Sequence, residues 1–298
     1  MRLCGASLAM SGAGVGFRTR RTAGCEMTSQ KSVYSESVEP GELDIQAAVG
    51  TSTDAPPAVI RRVGAALQRY PFVYGTAVRG LQARGLVRRR RQLARYCAEV
   101  PPEKRCLSIG SGLNVIDGWL STDPVPVRPG TVYLDAIKRW PIPSASFRFM
   151  ACEHMIEHVP YEAGLQLISE AHRVLQRDGV LRISTPNLDV FRLLPDSNDP
   201  DAQEYIRWSN RTYGSAEERA DEDSPAHVLN RMMREWGHIY LYNEDTLRRV
   251  LTRAGFRQVV RCEPGMSQYA ELVGVDRHAN AIGDLANRIE SLILEATA

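Results

Sequence analysis

Residues 104–123 read KRCLSIGSGLNVIDGWLSTD: an apolar run enters a Gly110-Ser111-Gly112 turn, and a second short run ends on Asp123. Glycines at 110 and 112 permit a tight turn and the close approach of a ligand to the backbone. An acid closing the second strand can accept hydrogen bonds from both hydroxyls of a ribose. Strand, glycine turn, strand, acid therefore describes a nucleoside pocket at the carboxyl edge of a parallel sheet. A dinucleotide fingerprint would add a third glycine, three residues after the second, so that a long helix packs on the strand. Val115 stands there instead, and Asp123 follows too closely, so the first crossover helix is expected to be stunted or absent. A pyrophosphate would lose the helix N-terminus that balances its charge, which argues against a nicotinamide cofactor. S-adenosylmethionine carries no phosphate and has no such need.

A second group of chemically able residues is Glu153-His154-Met155-Ile156-Glu157-His158. His154-x-x-Glu157-His158 fits the pattern of inverted zinc peptidases, two imidazoles one helical turn apart with a glutamate base between them. Such a site needs a further protein ligand, and no downstream candidate is distinctive, so no metal is assigned. A neutral imidazole at the mouth of the pocket is suited to accept a hydroxyl proton near neutral pH, and His154 is the candidate base. His238 is the other candidate, weighed against a purely structural role. It follows a long polar segment, 196–237, of the kind that forms substrate lids, and Asn230, Arg231 and Arg234 are expected beside it on an acceptor pocket. The acidic stretch 217–223 reads as a solvated face.

The elements that must hold these residues alternate. Short β-rich runs end at Asp123, Asp135 and Cys152; a helix is expected from about Tyr161 to a glycine stop at Arg177-Asp178-Gly179; a strand resumes at Val180. That order requires a doubly wound sheet. On Leu107–Gly112, Gly118–Asp123, Glu153–His158 and Arg173–Gly179, with His238–Leu247 and Ala254-Gly255-Phe256 farther on, the chain resembles class I S-adenosylmethionine-dependent methyltransferases. It is most similar to the bacterial branch with a shortened first helix. The resemblance implies a Rossmann-like, mostly parallel seven-stranded sheet and S-adenosylmethionine as cofactor. Gly110, Ser111 and Gly112 would line its methionine portion, Asp123 its ribose, and Asp135 with Ala136 its adenine edge. Cys152 and Glu153 would face the sulfonium and the substrate. Many relatives carry an acid two residues before the first glycine, where this chain has Ser108. The implied activity is O-methylation of a sugar or other small hydroxylated metabolite, with a glycan among the acceptors the resemblance allows. A nucleic-acid methyltransferase and a non-catalytic scaffold are the alternatives, the former lacking an Asn/Asp-Pro-Pro-Tyr/Phe base-pocket motif after the fourth strand.

The amino-terminal third differs in kind. Up to Arg105 the charge balance is +9 and beyond it −7, an asymmetry hidden in the total of +2. Residues 1–58, rich in small residues and poor in periodicity, are expected to be mostly disordered. Residues 59–100 read as a basic helical extension, free of acids through residue 98 and carrying Arg88-Arg89-Arg90-Arg91. Segment 59–98 can bind an anionic membrane surface or nucleic acid, or serve as a helical cap whose arginines are solvated. Residues 101–278 form the expected catalytic domain with a lid-like insertion at 190–237, and 279–298 a C-terminal helix. The opening has the wrong order for a secretory signal, and initiation at Met10 or Met27 fits the same facts. No run approaches a membrane span. Six cysteines, at 4, 25, 97, 106, 152 and 262, form neither a zinc spacing nor a disulfide framework. A cytoplasmic, reducing compartment is therefore expected, peripheral to a membrane if the basic segment binds one, with Cys106 and Cys152 as buried thiols.

Overall fold

The structure, a computed structural model, describes residues 71–298, with side chains from residue 75. The expectations for 1–58 and for the start of the basic helix, 59–70, lie outside the described residues. Helix α1 (Pro71–Glu99) opens on a proline, whose missing N–H suits a first turn. Strands β1 (Cys106–Ile109), β2 (Leu120–Asp123) and β3 (Val132–Tyr133) follow with no helix between them, as the missing third glycine predicted. Then come β4 (Phe147–Glu153), α2 (Tyr161–Val174) and β5 (Leu175–Pro186). An all-helical stretch carries α3 (Leu188–Leu193), α4 (Pro200–Tyr213), α5 (Ala216–Ala220) and α6 (Pro225–Arg234). The chain ends with α7 (Glu244–Ala254), β6 (Arg257–Arg261), α8 (Ala279–Ile282), α9 (Asp284–Glu290) and β7 (Ser291–Thr297).

The seven strands lie in the order β3-β2-β1-β4-β5-β7-β6. All pairs are parallel except those made by β7 with β5 and β6. Order reverses between β1 and β4, so their carboxyl ends flank a crevice of the kind where open sheets bind ligands.

Strand alternation sorts the sheet's two faces. Leu107, Ile109, Met150, Cys152, Leu181, Ile183, Leu292 and Leu294 join Leu167, Ile168 and Ala171 of α2 and Leu247 and Leu251 of α7 in the main core. The opposite face presents Cys106, Phe149 and Val180 and is covered by Tyr269 and Leu272, from the long connection between β6 and β7. Helix α1 closes the far edge. Its Tyr96 stacks on Phe147 at 6.0 Å and donates its hydroxyl to the Cys106 carbonyl. Gly85 lies so close to β3 that a Cβ there would sit 2.7 Å from that of Tyr133.

Two expectations are corrected. The C-terminal helix expected over 279–298 stops at Glu290, and Ser291–Thr297 is a strand buried between β5 and β6. Its Leu292-Ile293-Leu294 run is apolar on both faces, so no alternation distinguished it from a helix. Helix α2 ends at Val174, and Leu175 already pairs with Phe147 in the sheet. The turn at Asp178-Gly179 lies within β5, with the left-handed residue at Asp178 rather than at the glycine. The insertion is helical: Phe191, Tyr205, Ile206, Val228 and Met232 build a second core with Ala286 of α9. Each helix there is short, so its apolar face shows no long period. Among the described residues no helix is long and apolar enough to cross a membrane.

Candidate active site

The glycine turn leaves β1 with Gly110 at φ 63° and Gly112 at φ 51°, left-handed values that other residues rarely adopt. A Cβ on Gly110 would fall 2.5 Å from Cγ of Met155, which fixes how the loop after β4 closes on the turn. Asp123 shapes the turn from the other side. Its Oδ2 accepts the Gly112 N–H at 2.9 Å and its Oδ1 the Val125 N–H at 2.7 Å. Burial raises the Asp123 pKa, and those two bonds oppose the rise. A cleft beside the turn is lined by Ser108, Gly110, Ser111, Asn114, Ala151, Glu153 and Val275.

The remaining expected residues divide. Glu153 reaches the cleft, and its Oε1 accepts the N–H groups of Arg277 and His278 at 2.5 and 2.7 Å. Burial and the neighbouring Asp276 push its carboxyl up to about 7 against those bonds. Cys152 points its side chain into the main core, where burial pushes its thiol far up, so only its backbone faces the strand end. Asp135 follows β3 and is engaged by its own turn, pairing with Lys138 at 2.7 Å. The Ala136 carbonyl accepts the Trp140 indole N–H at 3.0 Å. Asn230 bonds within its own helix, to Ala226. Arg231, expected on the acceptor pocket, is fully buried and held by Asn210 and by Glu218 at 3.1 Å. The acidic stretch 217–223 lies largely exposed, as expected of a solvated face, with Glu222 pairing with Arg211 and Asp223 with Arg207 at the surface.

Both candidate bases converge on Glu157. His154 is held at φ 42°, a strained value of the kind found at functional sites. Its Nδ1 lies 3.1 Å from Glu157 Oε1 and its Nε2 3.1 Å from Ser291 Oγ. Burial and the stacked His278 ring, 3.8 Å away between centroids, push its pKa down, and the bond to Glu157 opposes that shift. His278, which sequence reasoning did not single out, bonds Glu290 at 2.8 Å, and Tyr205 donates to the same carboxylate at 2.6 Å.

On the other side of Glu157 stand His158 and His238, their rings 5.2 Å apart. Residues 239 and 240 both donate backbone N–H groups to the Glu157 carbonyl, at 2.7 and 3.1 Å, which clips His238 against the turn after β4. Trp236, also left-handed at φ 55°, tightens the approach. Nδ1 of His158 meets the Gly237 carbonyl at 3.3 Å and Nδ1 of His238 the Met232 carbonyl at 2.7 Å. Among the described residues one ligand atom each from Glu157, His158 and His238 lies within 4.8 Å of the other two. Glu157 is fully buried. Burial alone would raise its pKa, yet the bond to His154 and the nearby His158 and His238 hold it down at about 2.

Comparison with known sequences places residues 81–260 in a family described as "Methyltransferase domain". No curated protein matches the chain. Solved structures similar to it include a SAM dependent methyltransferase from Archaeoglobus fulgidus, 18% identical over 77% of this chain and 100% of that one, with a TM-score of 0.38. An S-adenosylmethionine dependent methyltransferase from Mesorhizobium loti is 15% identical over 70% and 97%, TM-score 0.37. A SAM-dependent methyltransferase from Thermotoga maritima, described as a possible histamine N-methyltransferase, is 15% identical over 78% and 97%, TM-score 0.36.

Proposed function

The chain belongs to the methyltransferase-domain family, and from that premise we propose that it methylates a hydroxyl of a sugar or other small hydroxylated metabolite, using S-adenosylmethionine. The residues at the cleft fit the donor. Ser111 Oγ is buried there without a partner, and a side chain on Gly112 would meet nothing within 4 Å, leaving space against the backbone. Gly110, Ser111 and Gly112 would hold the methionine portion. Asp123 keeps lone pairs for ribose hydroxyls beyond the two N–H groups it accepts, Asp135 and Ala136 lie past β3 for the adenine, and Glu153 and the backbone of Cys152 border the reacting centre. When bound, S-adenosylmethionine supplies a methyl group already activated by its sulfonium.

The chain's own task is then to orient the acceptor oxygen, exclude water and receive a proton. The observation that carries the hydroxyl reading is the cluster of Glu157, His158 and His238, whose first two residues sit on the short turn that follows Glu153, itself part of the cleft wall. A hydroxyl needs its proton removed, and this cluster offers imidazole and carboxylate lone pairs for it. Of the two expected bases, His238 stands within the cluster. His154 has both ring nitrogens engaged and acts as a positioning residue that fixes the Glu157 carboxylate.

Calorimetric titration with S-adenosylmethionine and, separately, NAD, followed by incubation with a panel of hydroxylated sugars, tests the reading. Binding of the former alone and a methyl-ether product are expected. A folded sample that binds neither would refute it. Methylation confined to nucleic acid would favour the runner-up, which rests on exposed Arg88, Arg90 and Arg91 of α1.

A further inference from the structure

We infer that Glu157, His158 and His238 bind a single divalent transition-metal ion, whose remaining coordination positions admit an acceptor hydroxyl. The clause on the hydroxyl rests on the methyltransferase reading above; the metal site does not.

Several independent features converge. The three ligand atoms lie within 4.8 Å of one another, close enough to be drawn onto one ion. Glu157 is fully buried, and while Oε1 meets His154, Oε2 has no hydrogen-bond partner. A buried carboxylate oxygen without a donor is costly, and a cation beside it removes that cost. Each imidazole has its Nδ1 against a backbone carbonyl, Gly237 for His158 and Met232 for His238. That selects the Nδ1–H tautomer and leaves Nε2 with its lone pair, the arrangement that metal-ligating histidines require of their outer partners. His154 does the same for the carboxylate, fixing its rotation through Oε1. Two segments far apart in the chain, 154–158 and 232–238, are thus brought together at these three side chains.

The donor set also selects the ion. Two imidazoles and one carboxylate suit zinc, iron or cobalt better than magnesium or calcium, which favour oxygen ligands. Three protein ligands leave at least one position open, as catalytic rather than structural sites do. One carboxylate and two neutral imidazoles leave a divalent ion with a net charge of one, so the open position favours an oxygen that gives up its proton. An ion here would acidify the acceptor hydroxyl as a Lewis acid, and the cluster would act through it rather than as a free imidazole base.

The test uses the full chain, stripped with a chelator and titrated with Co²⁺ while the visible ligand-field bands are followed, then with Zn²⁺ in competition. One equivalent of Co²⁺ is expected, displaced by Zn²⁺, with the bands lost in both His158→Ala and His238→Ala variants whose circular dichroism matches the wild type. His154→Ala should weaken binding about 10–100-fold, as loss of an outer partner does. A wild-type chain that develops no bands, bands that survive both histidine substitutions, or thiolate charge-transfer bands would each overturn the site. S-adenosylmethionine titration is run in parallel. Its failure with Co²⁺ binding intact would refute the methyltransferase reading and leave the metal site standing.

Discussion

Asp123 serves the backbone and the ligand at once. It accepts N–H groups from Gly112 and Val125, and the same carboxylate is the acceptor proposed for the ribose. Asp123→Asn replaces one of those oxygens by an amide that points a donor at a donor. Bonds to charged groups contribute about 1.5–3 kcal/mol, so S-adenosylmethionine affinity is expected to fall about tenfold to a hundredfold by calorimetry; unchanged affinity would remove Asp123 from the pocket. Glu153 makes a pH prediction. Its carboxyl stands at about 7 in the folded chain against an ordinary 4.5, because burial and Asp276 disfavour the charge. Between those values the folded state holds a proton that the unfolded state has lost, so stability falls as pH rises through that window. The contribution is complete below the ordinary value and gone above about 7. Melting temperatures of wild type and Glu153→Gln, followed from about pH 5 to about pH 8, should show the wild type losing ground to the variant as pH rises. A gap that does not change with pH would mean that Glu153 titrates ordinarily.

At the scale of elements, the notable departure from an open sheet is the β6–β7 connection, which lies across the face left bare by the missing early helices. It is held by Arg182 of β5, fully buried and bonded to Asp276 at 2.9 Å and to Glu295 at 2.7 Å. The same guanidinium donates to the carbonyls of Met266 and Glu263. Arg182→Met leaves two buried carboxylates without their partner, and breaking such a network costs about 3–5 kcal/mol. Urea unfolding should show a loss of that size; one under about 1 kcal/mol, the ceiling for exposed pairs, would mean the connection docks by its apolar contacts alone. This strap was not legible in the sequence, because Arg182 and Asp276 are 94 positions apart, and a charged residue within an expected strand does not name its partner. The glycine turn, Asp123 and the missing crossover helix were legible because their interactions are local. His238 was singled out by type, but not as a neighbour of Glu157, since the clip joining them closes a loop through the whole insertion. The last strand was misread for a different reason: burial on both faces erases the alternation that distinguishes strand from helix.

For the whole molecule, these pieces make one consequence measurable. The cleft wall is drawn from the β1 turn, the end of β4 and the strap. Glu153 ties the last two together through the amides of Arg277 and His278. From there His278 stacks on His154, and His154 fixes Glu157 beside the insertion's exit. A ligand that binds only the folded chain stabilises it, by about 2.7 kcal/mol at a hundredfold excess over its dissociation constant. That stabilisation should spread over every segment the ligand or its contacts hold. Amide hydrogen exchange with and without S-adenosylmethionine is therefore expected to slow at 110–114 and also at Arg277 and His278, although no glycine motif marks the latter. Arg182→Met, which loosens the strap, should abolish the second protection and leave the first. Protection confined to the glycine turn in the wild type would mean that the strap covers the sheet without belonging to the site, and that His278 orders Glu290 rather than the pocket.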